Sequence, residues 1–171
     1  MNVSKTNVGT KFLTCILLSL FFAGCLGNDD KKDSAVPAPL YAKGKARFEG
    51  ICTGCHGVDA KGSGPNPPLY HSDFLMADRH RPIRIQFLGL PNKVDTATTI
   101  VVSDSVFSGM QMPDIGFCSS DSEIAGVLSY VRVTFNTATD FITVQEVASV
   151  RDSLIQAKIL DTTGYAARCA M

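Results

Sequence analysis

Two cysteines and a histidine form the run Cys52-Thr53-Gly54-Cys55-His56. The thiols are three positions apart, and the imidazole follows the second thiol directly. This spacing is the pattern for covalent haem attachment, in which each thiol adds to one haem vinyl group and the next residue is carried under the iron. The run therefore predicts one covalently bound haem c, with Cys52 and Cys55 as attachment points and His56 as an axial iron ligand.

Two other uses of a CxxC pair are weaker interpretations of the same residues. A thioredoxin-like redox pair needs a βαβ pattern around it, and the sequence has none. A structural zinc site needs a second pair of ligands at close spacing, but Cys118 and Cys169 are too dispersed to supply it. Haem attachment is the interpretation that the residues favour.

The elements that position this motif are predicted to be mostly helical. Helical spacing of apolar and aromatic residues predicts a helix over 41–51, directly before the first cysteine. The segment 57–68 is rich in Gly, Pro and Asn and is predicted to be a loop. A short helix is predicted over 84–90. Two β-branched runs predict a hairpin over 98–108, with its turn near Ser103-Asp104.

Two longer helices are predicted in the second half of the chain. Ser120 with Glu123 forms a capping box that opens a helix running to Phe135, with one apolar stripe along it. A second capping box opens a last helix over 144–159. We predict that the apolar face of this last helix covers the domain's own core; a docking surface for a larger complex is the alternative.

The stretch from Tyr41 to Phe135 resembles the class I cytochrome c family. Gly44 and Phe48 match the glycine and aromatic residue of the family's first helix, and Tyr130 matches the aromatic residue of its C-terminal helix. The resemblance implies a mainly α fold, with helices around one covalently attached haem. A small β-hairpin before the methionine loop and an extra C-terminal helix are additions. The implied organisation is a cytochrome c domain over 40–136, followed by a helical extension over 137–171 packed on it.

The resemblance also implies a second axial ligand. In this family that ligand is usually a methionine in the loop before the C-terminal helix, often followed by proline. Met112 precedes Pro113 and is favoured, while Met110 is the rival. A neutral thioether favours ferrous iron and raises the potential. His71 or His80 in this position would instead make a low-potential bis-histidine haem.

The segment 66–69 resembles the family's proline segment, where a backbone carbonyl accepts the second N–H of the axial histidine. Pro67 is the first choice for this carbonyl and Pro68 the second. Leu69 and Phe74 are expected to pack on the haem, although the same residues also suit generic core packing.

The N-terminus has the features of an export signal. Residues 1–24 combine a positive start with an apolar run over 12–22, too short for a comfortable membrane span. Small residues then precede Cys25, which resembles the lipobox of bacterial lipoproteins and implies cleavage before Cys25 and diacylation of its thiol. The alternative is an ordinary signal peptide that releases a soluble protein. Residues 25–39 are predicted to be the lipidated cysteine and a flexible tether. The resemblance to lipoproteins implies that Leu26 after Cys25 would favour the outer membrane in a cell that has one.

Two cysteines remain once these roles are assigned. Cys118 and Cys169 would both lie in an oxidising compartment, so we predict a disulfide between them, with two free thiols as the alternative. Closing a loop of about 50 residues would contribute on the order of 4 kcal/mol at most.

The charge and the motifs together limit the function. Sixteen basic and sixteen acidic residues cancel, which argues against a nucleic-acid partner, and removal of 1–24 leaves a net charge of −2. We predict a membrane-anchored, exported electron carrier that meets redox proteins transiently, with no small-molecule substrate and no enzymatic activity. The hairpin resembles an insert in a bacterial subgroup associated with copper nitrite reductases and other periplasmic oxidoreductases. A haem subunit of a larger complex and a ligand-binding haem protein with a labile sixth site are the alternatives.

Overall fold

The computed structural model describes residues 36–92, 95, 99–102, 105–109, 111–163 and 168–170. The predicted signal segment, Cys25, Met110 and the hairpin turn at 103–104 lie outside the described residues. The described part is mainly α with one two-stranded antiparallel sheet, which confirms the predicted fold class. Its elements are α1 (Ala38–Arg47), α2 (Thr53–His56), α3 (Asp73–Ala77), α4 (Arg81–Leu88), β1 (Thr99–Val102), β2 (Ser105–Ser108), α5 (Asp121–Phe135) and α6 (Val144–Gln156).

The first helical segment is longer than the sequence predicted. It begins at Ala38, inside the segment assigned to the tether, because Pro39 lies in the first turn, where the N–H that a proline lacks would have no acceptor within the helix. A π-helical turn, Phe48–Cys52, joins α1 to α2, so the CxxCH run continues the helix. The segment ends at Gly57, whose φ of +77° favours glycine. The haem motif therefore lies on the last turns of one continuous helical rod.

The helices α1 and α5 cross with their backbones in close contact. A Cβ on Gly44 would fall on the Gly126 carbonyl group, and a Cβ on Gly126 would lie 2.9 Å from the Leu40 carbonyl oxygen. The absence of a side chain at both Gly44 and Gly126 allows the backbones of the two helices to approach this closely. Next to the crossing, the rings of Phe48 and Tyr130 pack with centroids 5.5 Å apart. The residues matched to the family's helix crossing thus lie at this contact.

The helices α5 and α6 both begin at capping boxes. Ser120 and Glu123 cap α5, and Thr143 and Glu146 cap α6, each with reciprocal side-chain and backbone bonds. The helix α6 ends at Gln156, three residues before the predicted end. Its apolar face is buried in the same core as α5, which contradicts a docking role for that face; its buried residues are Val147, Val150 and Leu154.

The middle of the chain contains a helix that the sequence did not predict. Ser72 caps α3 by accepting a hydrogen bond from the Leu75 N–H at 3.3 Å. The helix α4 begins at Arg81, three residues before the predicted start, and ends at Leu88 before Gly89. None of the helices in the described residues combines the length and apolar character needed to span a bilayer.

One face of the hairpin packs against α3 and shares an apolar cluster with α4. Strands β1 and β2 pair in register, with Val102 opposite Ser105. Val102 is 1% exposed and belongs to a second apolar cluster with Ile85 and Leu90, against which Phe107 and Met112 pack. The hairpin therefore supports the segment that carries Met112.

Candidate haem-binding site

A single cleft brings most of the predicted site residues together. It measures about 1090 Å³, counting the space at its open mouth. Its wall is formed by the end of the first helical rod, residues 66–69, α3, α4, β1, residues 111–115 and α5, and none of the described wall residues is Asp, Glu, Lys or Arg. Ligand sites of this kind are concave and largely apolar. The cleft suits a large, flat, mostly apolar cofactor.

The two thiols of the motif lie in one part of the wall but differ in exposure. Cys52 is 8% exposed, while Cys55 is exposed to solvent. Burial raises the pKa of the Cys52 thiol to about 11, so this thiol is neutral near pH 7 in the unmodified chain. Both side chains border the cleft, so a cofactor attached to them would lie inside it with one edge near the surface.

The imidazole of His56 is oriented by the backbone of the proline segment. Its Nδ1–H donates to the Pro67 carbonyl oxygen at 2.9 Å, so Nε2 is left to act as a ligand. Burial lowers the pKa of His56, although the bond to Pro67 opposes this effect. The neutral imidazole is the form that binds metals. Of the two prolines considered, Pro67 is the acceptor.

The loop that presents this carbonyl is closed by backbone hydrogen bonds. The Gly62 N–H donates to the His56 carbonyl at 2.8 Å, and the Leu69 N–H donates to the Ala60 carbonyl at 2.8 Å. Gly62 has a φ of +82°, and its Cα lies so near the Asn66 carbonyl that no side chain would fit. The glycines and prolines of 57–68 therefore close the loop that presents the Pro67 carbonyl to His56, the contact that the resemblance implied.

A second part of the wall carries Met112. Its backbone forms a two-hydrogen-bond bridge with Leu90: the Leu90 N–H donates to the Met112 carbonyl at 2.8 Å, and the Met112 N–H donates to the Leu90 carbonyl at 2.9 Å. Gly89 lies against the same carbonyl, and a Cβ there would approach the oxygen to 2.5 Å. Met112 itself lines the cleft.

The other sequence candidates divide into two groups. Leu69 and Phe74 line the cleft, as expected for residues that pack on a cofactor. His71 and His80 do not line it: His71 packs against the Tyr70 ring at 4.2 Å, and His80 directly precedes α4. The described structure thus brings Met112, and neither histidine, to the cleft that holds His56.

The family model for cytochrome c matches residues 41–134, which is more than half of the chain. The chain belongs to the cytochrome c family. Because this family binds covalently attached haem c, the predicted cofactor is confirmed, and the protein is a haem-based electron carrier. The size and apolar wall of the cleft, two thiols and a neutral imidazole fit that group. A comparison with curated proteins found no match to the chain.

The C-terminal tail of the cytochrome is fixed beside the Met112 segment. A disulfide joins Cys118 to Cys169, with Cα atoms 5.3 Å apart. The adjacent Arg168 pairs with Asp114 at 2.9 Å and stacks over the Phe117 ring at 3.8 Å. The tail therefore contacts the chain two residues beyond Met112.

Sequence reasoning missed the contribution of α4 to the cleft. Pro82, Ile85 and Gln86 all line it, at the i, i+3 and i+4 spacing of one helix face. That spacing was readable, but a polar residue within it obscured the stripe, and the predicted helix began at residue 84.

Proposed function

We propose that this cytochrome transfers single electrons between redox proteins of the cell envelope, with haem c attached to Cys52 and Cys55 and its iron ligated by His56 and Met112. The observation that carries the proposal is the single apolar cleft that contains both thiols, the oriented imidazole and one thioether. Haem c, when bound, supplies an iron that accepts and releases one electron. The side chains of the cleft would hold the haem and orient the ligands of its iron.

The two axial side chains have different tasks. The bond from His56 to the Pro67 carbonyl fixes the ring and increases the basicity of Nε2. The Met112 thioether is neutral and soft, so it favours the reduced state. If His56 and Met112 both bind the iron, the iron has no open site for a substrate. This is the reason for proposing a carrier rather than an enzyme.

The mouth of the cleft near the thiols is suited to brief contact with another protein. Cys55 is exposed there, Ile51 lines the cleft and is 46% exposed, and Val58 is 82% exposed. Nearby charges are paired within the chain, as in the Lys61–Asp59 contact at 3.6 Å. A small apolar patch without strong net charge favours weak, short-lived docking, which a carrier needs in order to release its partner.

The location is proposed from the N-terminal residues and the cysteines. The apolar run over 12–22 and the lipobox-like residues before Cys25 support export and a lipid anchor. The disulfide in the described domain suits an oxidising compartment. Because the hairpin resembles the insert of cytochromes associated with copper nitrite reductases and other periplasmic oxidoreductases, a redox partner of this kind is part of the proposal.

The test is an absorption spectrum of the protein matured in a host that attaches haem c, taken oxidised and then reduced. We expect a weak band near the red edge in the ferric form. This band should vanish in Met112→Ala and persist in Met110→Ala, the matched control two residues away. The ferrous wild-type protein should take up no carbon monoxide.

Two results would count against the proposal. If the band vanished in Met110→Ala and persisted in Met112→Ala, the second iron ligand would be Met110 and not Met112. Absence of the band in the wild-type protein, together with carbon monoxide uptake by its ferrous form, would show an open sixth site and favour a ligand-binding or catalytic haem.

A further inference from the structure

One buried polar atom in the wall of the cleft, the side-chain oxygen of Gln86, has no hydrogen-bond partner among the described residues. Gln86 is 6% exposed, and its Oε1 is fully buried with no hydrogen bond to any described residue. Its side chain borders the cleft, where its neighbours on α4, Pro82 and Ile85, are apolar. A buried amide without a partner is costly. Its partner is therefore expected among the groups that fill or line the cleft in the mature protein.

The position of Gln86 in the fold identifies its surroundings. The Gly116 N–H donates to the Gln86 carbonyl at 2.8 Å, and a Cβ on Gly116 would lie 2.8 Å from the Gln86 Cβ. Four residues further along, Leu90 forms the two-hydrogen-bond bridge with Met112. Two backbone contacts thus fasten residues 86–90 along residues 112–116, and the Gln86 side chain enters the cleft from the Met112 part of the wall.

The chemistry of the loaded site leaves few partners for an amide. Haem is apolar apart from its carboxylates, so the polar groups available to Gln86 in the loaded cleft would be those carboxylates and the two side chains that would hold the iron, His56 and Met112. The His56 Nδ1–H already donates to Pro67. A thioether ligand keeps one lone pair after coordination and remains a weak acceptor. Rotation about χ3 of Gln86 exchanges the positions of Oε1 and Nε2, so an N–H can face this acceptor.

We propose that the Gln86 amide donates a hydrogen bond to the Met112 sulfur and acts as the positioning residue of the sixth ligand. This inference rests on the proposed function, because it requires Met112 to bind the iron. The bond fixes the orientation of the thioether in the same way that the Pro67 carbonyl fixes His56. Loss of the bond should leave haem attachment intact and make Met112 easier to displace.

The test compares Gln86→Leu with Gln156→Leu in the matured protein. Gln156 is an exposed residue of α6 outside the described wall of the cleft, so its amide can bond to water. Added imidazole competes with Met112 for ferric iron and can be titrated by absorption. We expect Gln86→Leu to bind imidazole about fivefold more tightly, the equivalent of one lost hydrogen bond, and to weaken or shift the red-edge band. Gln156→Leu should match the wild-type protein.

The outcomes are separable. Unchanged imidazole affinity and an unchanged band in Gln86→Leu would overturn the inference. So would a change confined to the pH dependence of the reduction potential, because that result assigns the amide to a haem carboxylate. If Gln86→Leu does not fold, Gln86→Asn, with its amide one methylene shorter, should show the same increase. Persistence of the band in Met112→Ala would refute the ligand assignment itself, which Gln86 variants leave untouched.

Discussion

The disulfide between Cys118 and Cys169 should supply a large share of the stability of the domain. The two residues are 51 positions apart, and the chain-entropy model assigns a loop of this size about 4 kcal/mol at 25 °C. Replacing Cys169 with Ser opens the covalent loop and frees the tail that carries Arg168. In the intact protein, Arg168 covers the Phe117 ring and pairs with Asp114. The domain should therefore lose up to about 4 kcal/mol of unfolding free energy.

The assay is guanidinium unfolding of the matured protein, with every sample in the ferrous form so that a thiol reductant does not also change the iron. Without the thiol reductant, Cys169→Ser should unfold at a midpoint about 1 M lower than the wild-type protein, given the usual dependence on denaturant for a domain of this size. With the reductant, the wild-type midpoint should fall to that of the variant, while the variant should not move.

A matched control comes from the other cysteine. Cys118→Ser should lose the same stability as Cys169→Ser, and the double variant should lose no more than either single variant, because one closure is removed in all three. Equal midpoints for the wild-type protein and Cys169→Ser without reductant would refute the reasoning. Additive losses in the double variant would show that the cysteines act separately.

Two further predictions concern the helix packing and the response to acid. Gly44→Ala should destabilise the matured protein by about 1–3 kcal/mol, because its Cβ would meet the Gly126 carbonyl. Gly50→Ala is the control and should be neutral or slightly stabilising, because the space around its Cα is open. Thermal unfolding of both variants checks this prediction. The Arg79 guanidinium that bonds Glu146 lowers the pKa of that carboxyl to about 2. The ionised carboxyl therefore stabilises the domain fully above pH 4.5, and this contribution is lost as the pH falls towards 2. Glu146→Gln should lower the unfolding free energy by on the order of 3 kcal/mol at pH 7. The difference in unfolding free energy between the variant and the wild-type protein should disappear between pH 4.5 and 2. A difference that stays constant over this range would contradict a stabilising role for the ionised Glu146 carboxyl.

The parts of the fold that the sequence predicted correctly are those specified by residues close together in the chain. The CxxCH run lies within five residues, and each capping box within four. The crossing of α1 and α5 was predictable only in part. Gly44 was matched by resemblance, but Gly126 has meaning only when the opposing backbone is known. The early start of α1 was missed because the prolines near Ala38 were taken as a sign of a flexible tether.

Contacts between distant residues were not readable from periodicity or local composition. Arg79 bonds to Asp140 and Glu146, more than sixty residues away, and attaches the C-terminal extension to the loop before α4. Neither the sequence around Arg79 nor that around Glu146 indicates the other. The burial of Gln86 was missed for the same reason, since its environment is created by the Gly116 segment thirty residues later.

The same difference between local and distant contacts separates the two proposed axial ligands. His56 is oriented by a carbonyl eleven residues away, within a loop closed by short-range hydrogen bonds. Met112 depends on Leu90, on the contact between Gln86 and Gly116, and, through Asp114, on a tail residue 54 positions further along. Loops between distant residues lose more chain entropy when they close, so their contacts are more easily lost when the domain is perturbed. Denaturant, acid or reduction of the disulfide should therefore displace Met112 before His56, and the His56 side of the site should keep its structure after the thioether has left.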